Sequence, residues 1–268
     1  MLRSHPVLVQ LSRVWRLSGR WLPNGWLDAI RQLALFAGAY YLYRIVRGIV
    51  DGQAGLAFEN ARNLVDAERA MGLFFEPGLQ AWAEGQEWIL TSANWMYVNS
   101  HFVITTTFLI WLYIARNHAY YFVRNMFLVA MGLALVGYMA YPTAPPRFMP
   151  EWGFEDSVAK ITGVTGDQSA ANALYNPFAA VPSMHVAFAL MVGWPLARLV
   201  RWRALKVFWS IYPFIITFVV ISTGNHFWVD AALGAIVAAV SACVSHALLA
   251  RARPHAWAFS PARAGATA

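Results

Sequence analysis

The chain has 268 residues, of which 59% are hydrophobic and only 12% charged, and it carries a net charge of +7. Soluble domains hold about a quarter charged residues, so this composition excludes a soluble globule and points to a chain built for a bilayer. Thirteen Trp, eleven Tyr and seventeen Phe exceed the needs of a core this size and suit interfacial belts. The surplus Lys and Arg sit in short clusters between apolar runs, not as a stripe on a soluble face, which excludes nucleic acid as a partner. One cysteine, Cys243, excludes an intrachain disulfide.

At the N-terminus, residues 7–22 set Arg13, Arg16 and Arg20 on one helical face, with Leu11, Trp15 and Leu22 elsewhere. This predicts an amphipathic helix on an anionic leaflet rather than a cleaved signal. Six apolar runs follow, predicting spans at about 27–50, 87–115, 121–141, 183–200, 205–222 and 226–250. Arg31 and Arg44 lie near the ends of the first, where they can snorkel. Between the first two spans, 51–86 sets Leu64, Met71 and Phe75 against Glu59, Arg62, Asp66, Glu68 and Arg69, the pattern of a surface-lying outer helix. A connection over 142–181 is broken by Pro142, Pro145, Pro146, Pro150 and Pro177 and is long enough to carry function. Trp152, Phe154, Tyr175 and Phe178 within it can line a headgroup site. The expected fold is all-α, a polytopic six-transmembrane-helix bundle in one domain. Residues 1–26 form the cytoplasmic N-terminus, about 27–250 the bundle and 251–268 a cytoplasmic tail. Oligomeric state is left open.

Charge sets the orientation. Arg and Lys gather at the N-terminus, at Arg116 and Arg124, at Arg198, Arg201, Arg203 and Lys206, and at Arg251, Arg253 and Arg263. With six spans these places share one side, cytoplasmic by the positive-inside rule. The acidic 51–86 segment, the 142–181 loop and the heads of the fourth and sixth spans then face outward, as in a bacterial-type plasma membrane.

Both heads carry a histidine. In Ser222-Thr223-Gly224-Asn225-His226-Phe227-Trp228-Val229-Asp230, the acid lies four residues beyond the ring and on the same helical face. A carboxylate there fixes the tautomer of one ring nitrogen and leaves the other as a nucleophile or base. The second head is Pro182-Ser183-Met184-His185. Unpaired N–H groups at two helix N-termini attract phosphate. Ser183, Thr223 and Asn225 add polar side chains, and Arg147 supplies a two-point clamp. Together these groups make a metal-free phosphoryl-transfer site. His226 attacks phosphorus, Asp230 holds its ring and His185 protonates the leaving oxygen. His101, mid-span with Asn99, reads as an internal hydrogen-bonding residue, and His246 lies too far down the sixth span to join.

The set Pro142-x-Ala144-Pro145-Pro146-Arg147, then Pro182-Ser183-Met184-His185, then His226-x-x-x-Asp230 with Gly234 beyond resembles the type-2 phosphatidic acid phosphatase superfamily. The closest likeness is to its inositol phosphorylceramide synthase-like branch, over roughly residues 60–245. The resemblance implies a six-helix membrane bundle, a phosphohistidine on His226, His185 as acid, Asp230 as the orienting carboxylate, and neither metal nor other cofactor. The superfamily's Lys-x6-Arg-Pro run is missing, and Val219 and Val220 stand where it usually has Ser-Arg. Arg147, helped by Lys160, is left to hold the phosphate. Three functions fit: a lipid phosphatase, a phosphotransferase moving a phospho-headgroup to an alcohol, and a proton-coupled transporter. The third wants ionisable groups spread through the membrane depth, and only His101 lies deep.

Overall fold

The computed structural model describes residues 22–162 and 178–249. The helix expected over 7–22 and the tail at 251–268 lie almost wholly outside the described residues. Among those residues the elements are helices, with one isolated bridge between Thr143 and Ala179. They are α1 (Gly25–Val50), α2 (Ala54–Ala70), α3 (Glu76–Glu84), α4 (Glu87–Ala115), α5 (Asn117–Ala140), α6 (Ser157–Thr162), α7 (Met184–Leu199), α8 (Arg203–Ser222) and α9 (Trp228–Val244). α4 contains a π turn at Met96–Ser100, and α9 runs on into another at Ser245–Leu249. The expected runs thus coincide with helices to within a few residues. Proline delimits them at 142–150, whereas Pro195 and Pro213 sit inside α7 and α8, as membrane helices tolerate.

Among the described residues, four helices are long and apolar enough to cross a membrane: Glu87–Ala115, Asn117–Ala140, Arg203–Ser222 and Trp228–Leu248. They fit an integral membrane protein. α7 is apolar but has only 16 residues. α1 has 26 residues, carries Asp28, Arg31, Arg44 and Arg47, and is not among the four. The core lies between α4, α5, α7, α8 and α9, around Phe127, Met191, Val192, Tyr212 and Ile216. Phe102, Trp202 and Phe214 point away from it and are exposed, as lipid-facing side chains would be.

The 51–86 segment departs from its expected pattern. It is two helices, α2 and α3, with Gly72 in the left-handed region (φ +69°) between them. Leu64 is buried as expected, but Met71 and Phe75 are exposed, and Glu68, assigned to the polar face, is completely buried. Ala57, Ala61, Leu64 and Glu68 recur at helical spacing, so the inward stripe includes the glutamate.

α7 is held by close backbone contacts. A Cβ built on Gly234 of α9 would lie 2.2 Å from the Ser183 carbonyl oxygen, and one on Gly193 of α7 would lie 2.5 Å from that of Trp209 in α8. Small residues let membrane helices approach this closely. Gly234→Ala must therefore push α9 away from the head of α7. Overpacking of this kind typically costs about 1–3 kcal/mol, so the variant should melt lower in detergent and lose most of its turnover. Wild-type Tm and rate would show that the two helix heads need not touch.

Candidate active site

The turn after α8 delivers the first histidine. The N–H groups of Asn225 and His226 both donate to the Val220 carbonyl, at 3.0 and 3.1 Å, which folds the chain back on the end of α8. His226 Nδ1 lies 3.2 Å from Asp230 Oδ2. The same oxygen accepts the Phe227 N–H at 3.0 Å, and the Asp230 carbonyl accepts the Ser183 N–H at 3.0 Å. Asp230 is fully buried and His226 is 5% exposed. Burial first, and the Arg147 charge second, hold the His226 ring down to about 3, against the opposing pull of a backbone bond with Ala180. The ring is therefore neutral at pH 7. With the Nδ1 proton given to Asp230, its Nε2 keeps a free electron pair.

His185, in the first turn of α7, brings its ring centroid to 5.7 Å from that of His226. Tyr97 stacks on His185 at 4.6 Å. His101 lies on it at 4.6 Å as well, and next to Phe188 at 5.6 Å. His101 is mid-span, as expected, the fifteenth of the 29 residues of α4, and at that height it meets the head of α7. Asn99, expected with His101, bonds back to Trp95 and is exposed.

Arg147 follows α5 in a short 3₁₀ turn, Pro146–Phe148. Its N–H donates to the Gly224 carbonyl at 2.7 Å, and its guanidinium bonds Asn225 Oδ1. Nε lies 3.8 Å from Asp156 Oδ2, and the group covers the Phe148 ring at 4.7 Å. It is only 7% exposed. Asn225 Nδ2 donates to Thr223 Oγ1 at 2.7 Å, which itself donates to the Val219 carbonyl at 2.7 Å. Thr223 and Asn225 were expected to bind phosphate; their polar atoms instead build the seat of Arg147. Ser183 differs: its hydroxyl is fully buried and finds no partner among the described residues. Lys160 stands apart, 61% exposed and paired with Glu155.

The head of α9 differs from its expected role as a phosphate cradle. Trp228 N–H donates to Glu76 Oε1 at 3.0 Å and Val229 N–H to Glu68 Oε1 at 3.4 Å. With Asp230 on Phe227, three carboxyl groups occupy the N–H groups that a phosphate would need. A buried helix end must satisfy these donors, and acids suit its positive pole. Glu68 and Glu76 are both completely buried. Burial, then the facing Glu76, push Glu68 up to about 9, so it is protonated at neutral pH and shares its proton with its neighbour. Sequence alone did not reveal these two acids; the helical spacing of Glu68 with Ala61 and Leu64 was the available signal.

A family model described as the PAP2 superfamily matches residues 62–244, about two thirds of the chain. That segment contains every residue of the site just described. No curated protein and no solved structure matches the chain at a significant level.

Glu68 gives the fold a pH signature. Its folded value of about 9 lies above the reference value of 4.5 expected on unfolding. Between those values the folded chain binds more protons, so this group's contribution to stability falls as pH rises through the window. Glu68→Gln keeps an oxygen for Val229 and removes the titration. Its Tm advantage over wild type should grow from pH 5 to pH 9 in thermal melts. A constant difference would mean that the carboxyl is not held neutral.

Proposed function

Because the chain belongs to the PAP2 superfamily, we propose that it is an integral membrane phosphatase or phosphotransferase that handles a lipid phosphate through a phosphohistidine on His226. The observation that carries this reading is the facing pair of rings. His226 is tied to Asp230 at 3.2 Å and set 5.7 Å from His185, with the buried Arg147 guanidinium beside the turn. Nε2 of His226 attacks phosphorus while the bond to the lipid oxygen breaks, and that oxygen takes the His185 ring proton and leaves as an alcohol. Water then gives a proton back to His185 and its oxygen to phosphorus, the N–P bond breaks, and phosphate departs. Arg147 balances charge on the transferring group, and the unpaired Ser183 hydroxyl donates to one of its oxygens. Neither half-reaction requires a metal.

The second half-reaction works equally with an alcohol in place of water, as in an inositol phosphorylceramide synthase-like enzyme. Phosphate release and transfer to polar alcohols, measured together over a panel of lipid phosphates, separate the two. Against the transporter reading, His101 packs directly on His185 rather than standing apart from it along the bundle.

The same reading places the chain as a single six-span domain, counting α1 and the short α7 as spans, with the site on the extracytoplasmic face. Support comes from charge: Arg116 and Arg124 fall at one end of the bundle with Arg198, Arg201, Arg203 and Lys206, whereas α2 and α3 carry mostly acids.

His226→Ala should abolish turnover, and Asp230→Asn should reduce it by several orders of magnitude, as misorienting a histidine does elsewhere. Wild-type turnover should be insensitive to chelators, and orthovanadate should inhibit it. More than a tenth of wild-type activity in His226→Ala, or activity lost to chelation and restored by a divalent cation, would overturn the mechanism.

Orientation is checked separately. In a Cys243→Ser background, Glu151→Cys should react with an impermeant thiol reagent in intact cells and Arg201→Cys only after lysis. The opposite labelling would put the site in the cytoplasm.

A further inference from the structure

The two site histidines are supported differently. His226 has a buried carboxylate at 3.2 Å, whereas among the described residues no carboxylate pairs with the His185 ring. What holds that ring is a pair of side chains from α4. Tyr97 lies nearly parallel to it, at 4.6 Å and 26°. His101 tilts against it at 4.6 Å and 45°, and is itself stacked nearly parallel to Phe188, one turn further along α7, at 5.6 Å and 8°. Phe188 leans in turn on Phe127 of α5.

The local backbone is unusual at this point. The π turn of α4 covers Met96–Ser100 and so contains Tyr97 and ends immediately before His101. The wider turn changes the register with which successive side chains meet α7. Such turns occur frequently at functional sites. A further fact separates His101 from an ordinary core residue: its Nδ1 is buried and has no hydrogen-bond partner among the described residues. Thr105, Tyr212 and Ser241 also hold an unpaired buried atom, but at His101 that atom belongs to a ring packed directly on a site histidine.

We propose that His101 is the positioning residue of His185, wedging the acid's ring toward His226 and offering its unpaired ring nitrogen to the His185 imidazole during proton transfer. This rests on the phosphoryl-transfer reading of the site given above. His101 touches neither substrate nor phosphorus. It does for the acid what Asp230 does for the nucleophile, with a neutral partner in place of a charged one. A second carboxylate here would instead repel the phosphate in a buried site. The chemistry also dictates where the effect must appear. An alkyl alcohol needs the acid's proton to leave, and a nitrophenol does not.

The test uses the full chain in detergent with dodecyl phosphate and 4-nitrophenyl phosphate as matched substrates. His101→Phe keeps a ring against Phe188 and removes both nitrogens. Its kcat on dodecyl phosphate should fall about 10–100-fold, as losing a partner of a site residue does, with KM within about twofold. First-turnover release of 4-nitrophenol, which precedes the step in which His185 takes a proton from water, should stay within about threefold. His101→Gln, which restores a nitrogen, should recover part of the loss. An equal loss on both substrates, or no loss on either, overturns the proposal. A readout independent of turnover is the ¹⁵N spectrum of the His185 ring, identified by its disappearance in His185→Gln. That signal should move in His101→Phe, and an unmoved signal overturns the proposal even if the variant is slow. Should His226→Ala remain active while the His185 signal responds to His101, the phosphohistidine reading fails and the contact between the two rings stands.

Discussion

One buried carboxyl group organises the site. Asp230 uses its Oδ2 for both the His226 ring and the Phe227 N–H, and its carbonyl for the Ser183 N–H. Asp230 thus ties the His226 ring, the first turn of α9 and the head of α7 to one another. Burying such a group is expensive unless bonds compensate. Four residues on, Gly234 occupies the same face of α9 and lets the Ser183 backbone come into direct contact. The peptide at Ser183 thus rests on both Asp230 and Gly234. His185 begins two residues later, so its distance from His226 follows from backbone contacts rather than from flexible side chains. That is the preorganisation a two-histidine transfer requires.

The electrostatics of the site follow from what fills the turn. Val219 and Val220 are buried and contribute only their carbonyls, which accept from Thr223, Asn225 and His226. They shape the turn and supply no charge. The cation beside the rings comes from a different segment, with Arg147 secured through its own N–H to Gly224 and through its guanidinium to Asn225. Thr223 and Asn225 therefore act on the charge of the site through the arginine they orient.

The helices and both histidine heads were legible in the sequence because each rests on local spacing. Apolar runs bounded by Pro and Arg gave the helix limits, and His226 with Asp230 is an i, i+4 pair. What escaped was long-range. Glu76 and Glu68 reach Trp228 and Val229 across 152 and 161 residues, and nothing near either acid announces a helix end to be capped. The charge of Glu68 argues for a solvent-facing place, whereas its spacing puts it on the buried Ala57, Ala61, Leu64 stripe. His101 is mid-span as its position in the run indicates, but nothing local shows that the head of α7 meets α4 at that height. Asn225 and Thr223 bond to Arg147, to each other and to Val219, partners that spacing along the chain does not indicate.

The far end of the bundle uses the same physics for a different purpose. Asp28 of α1 accepts from the hydroxyls of Tyr113 and Tyr121, both at 2.9 Å, and from Gln32 at 3.0 Å. Gln32 also accepts from the buried Arg124 at 2.8 Å. Meanwhile Leu27, Leu33 and Tyr41 of α1 are exposed. In lipid, apolar faces gain little by meeting one another, so a peripheral helix needs directional bonds to choose its partner. α1 is tied to α4 and α5 in this way, and α2 and α3 are tied to α9 by their glutamates. The central helices have no such need: their backbones touch at Gly193 and Gly234, and their apolar side chains fill the remaining space. The peripheral elements are thus attached by polar bonds to a core packed by close approach. The outer set of those bonds falls on the first turn of α9, where it fixes the ring that we assign as nucleophile.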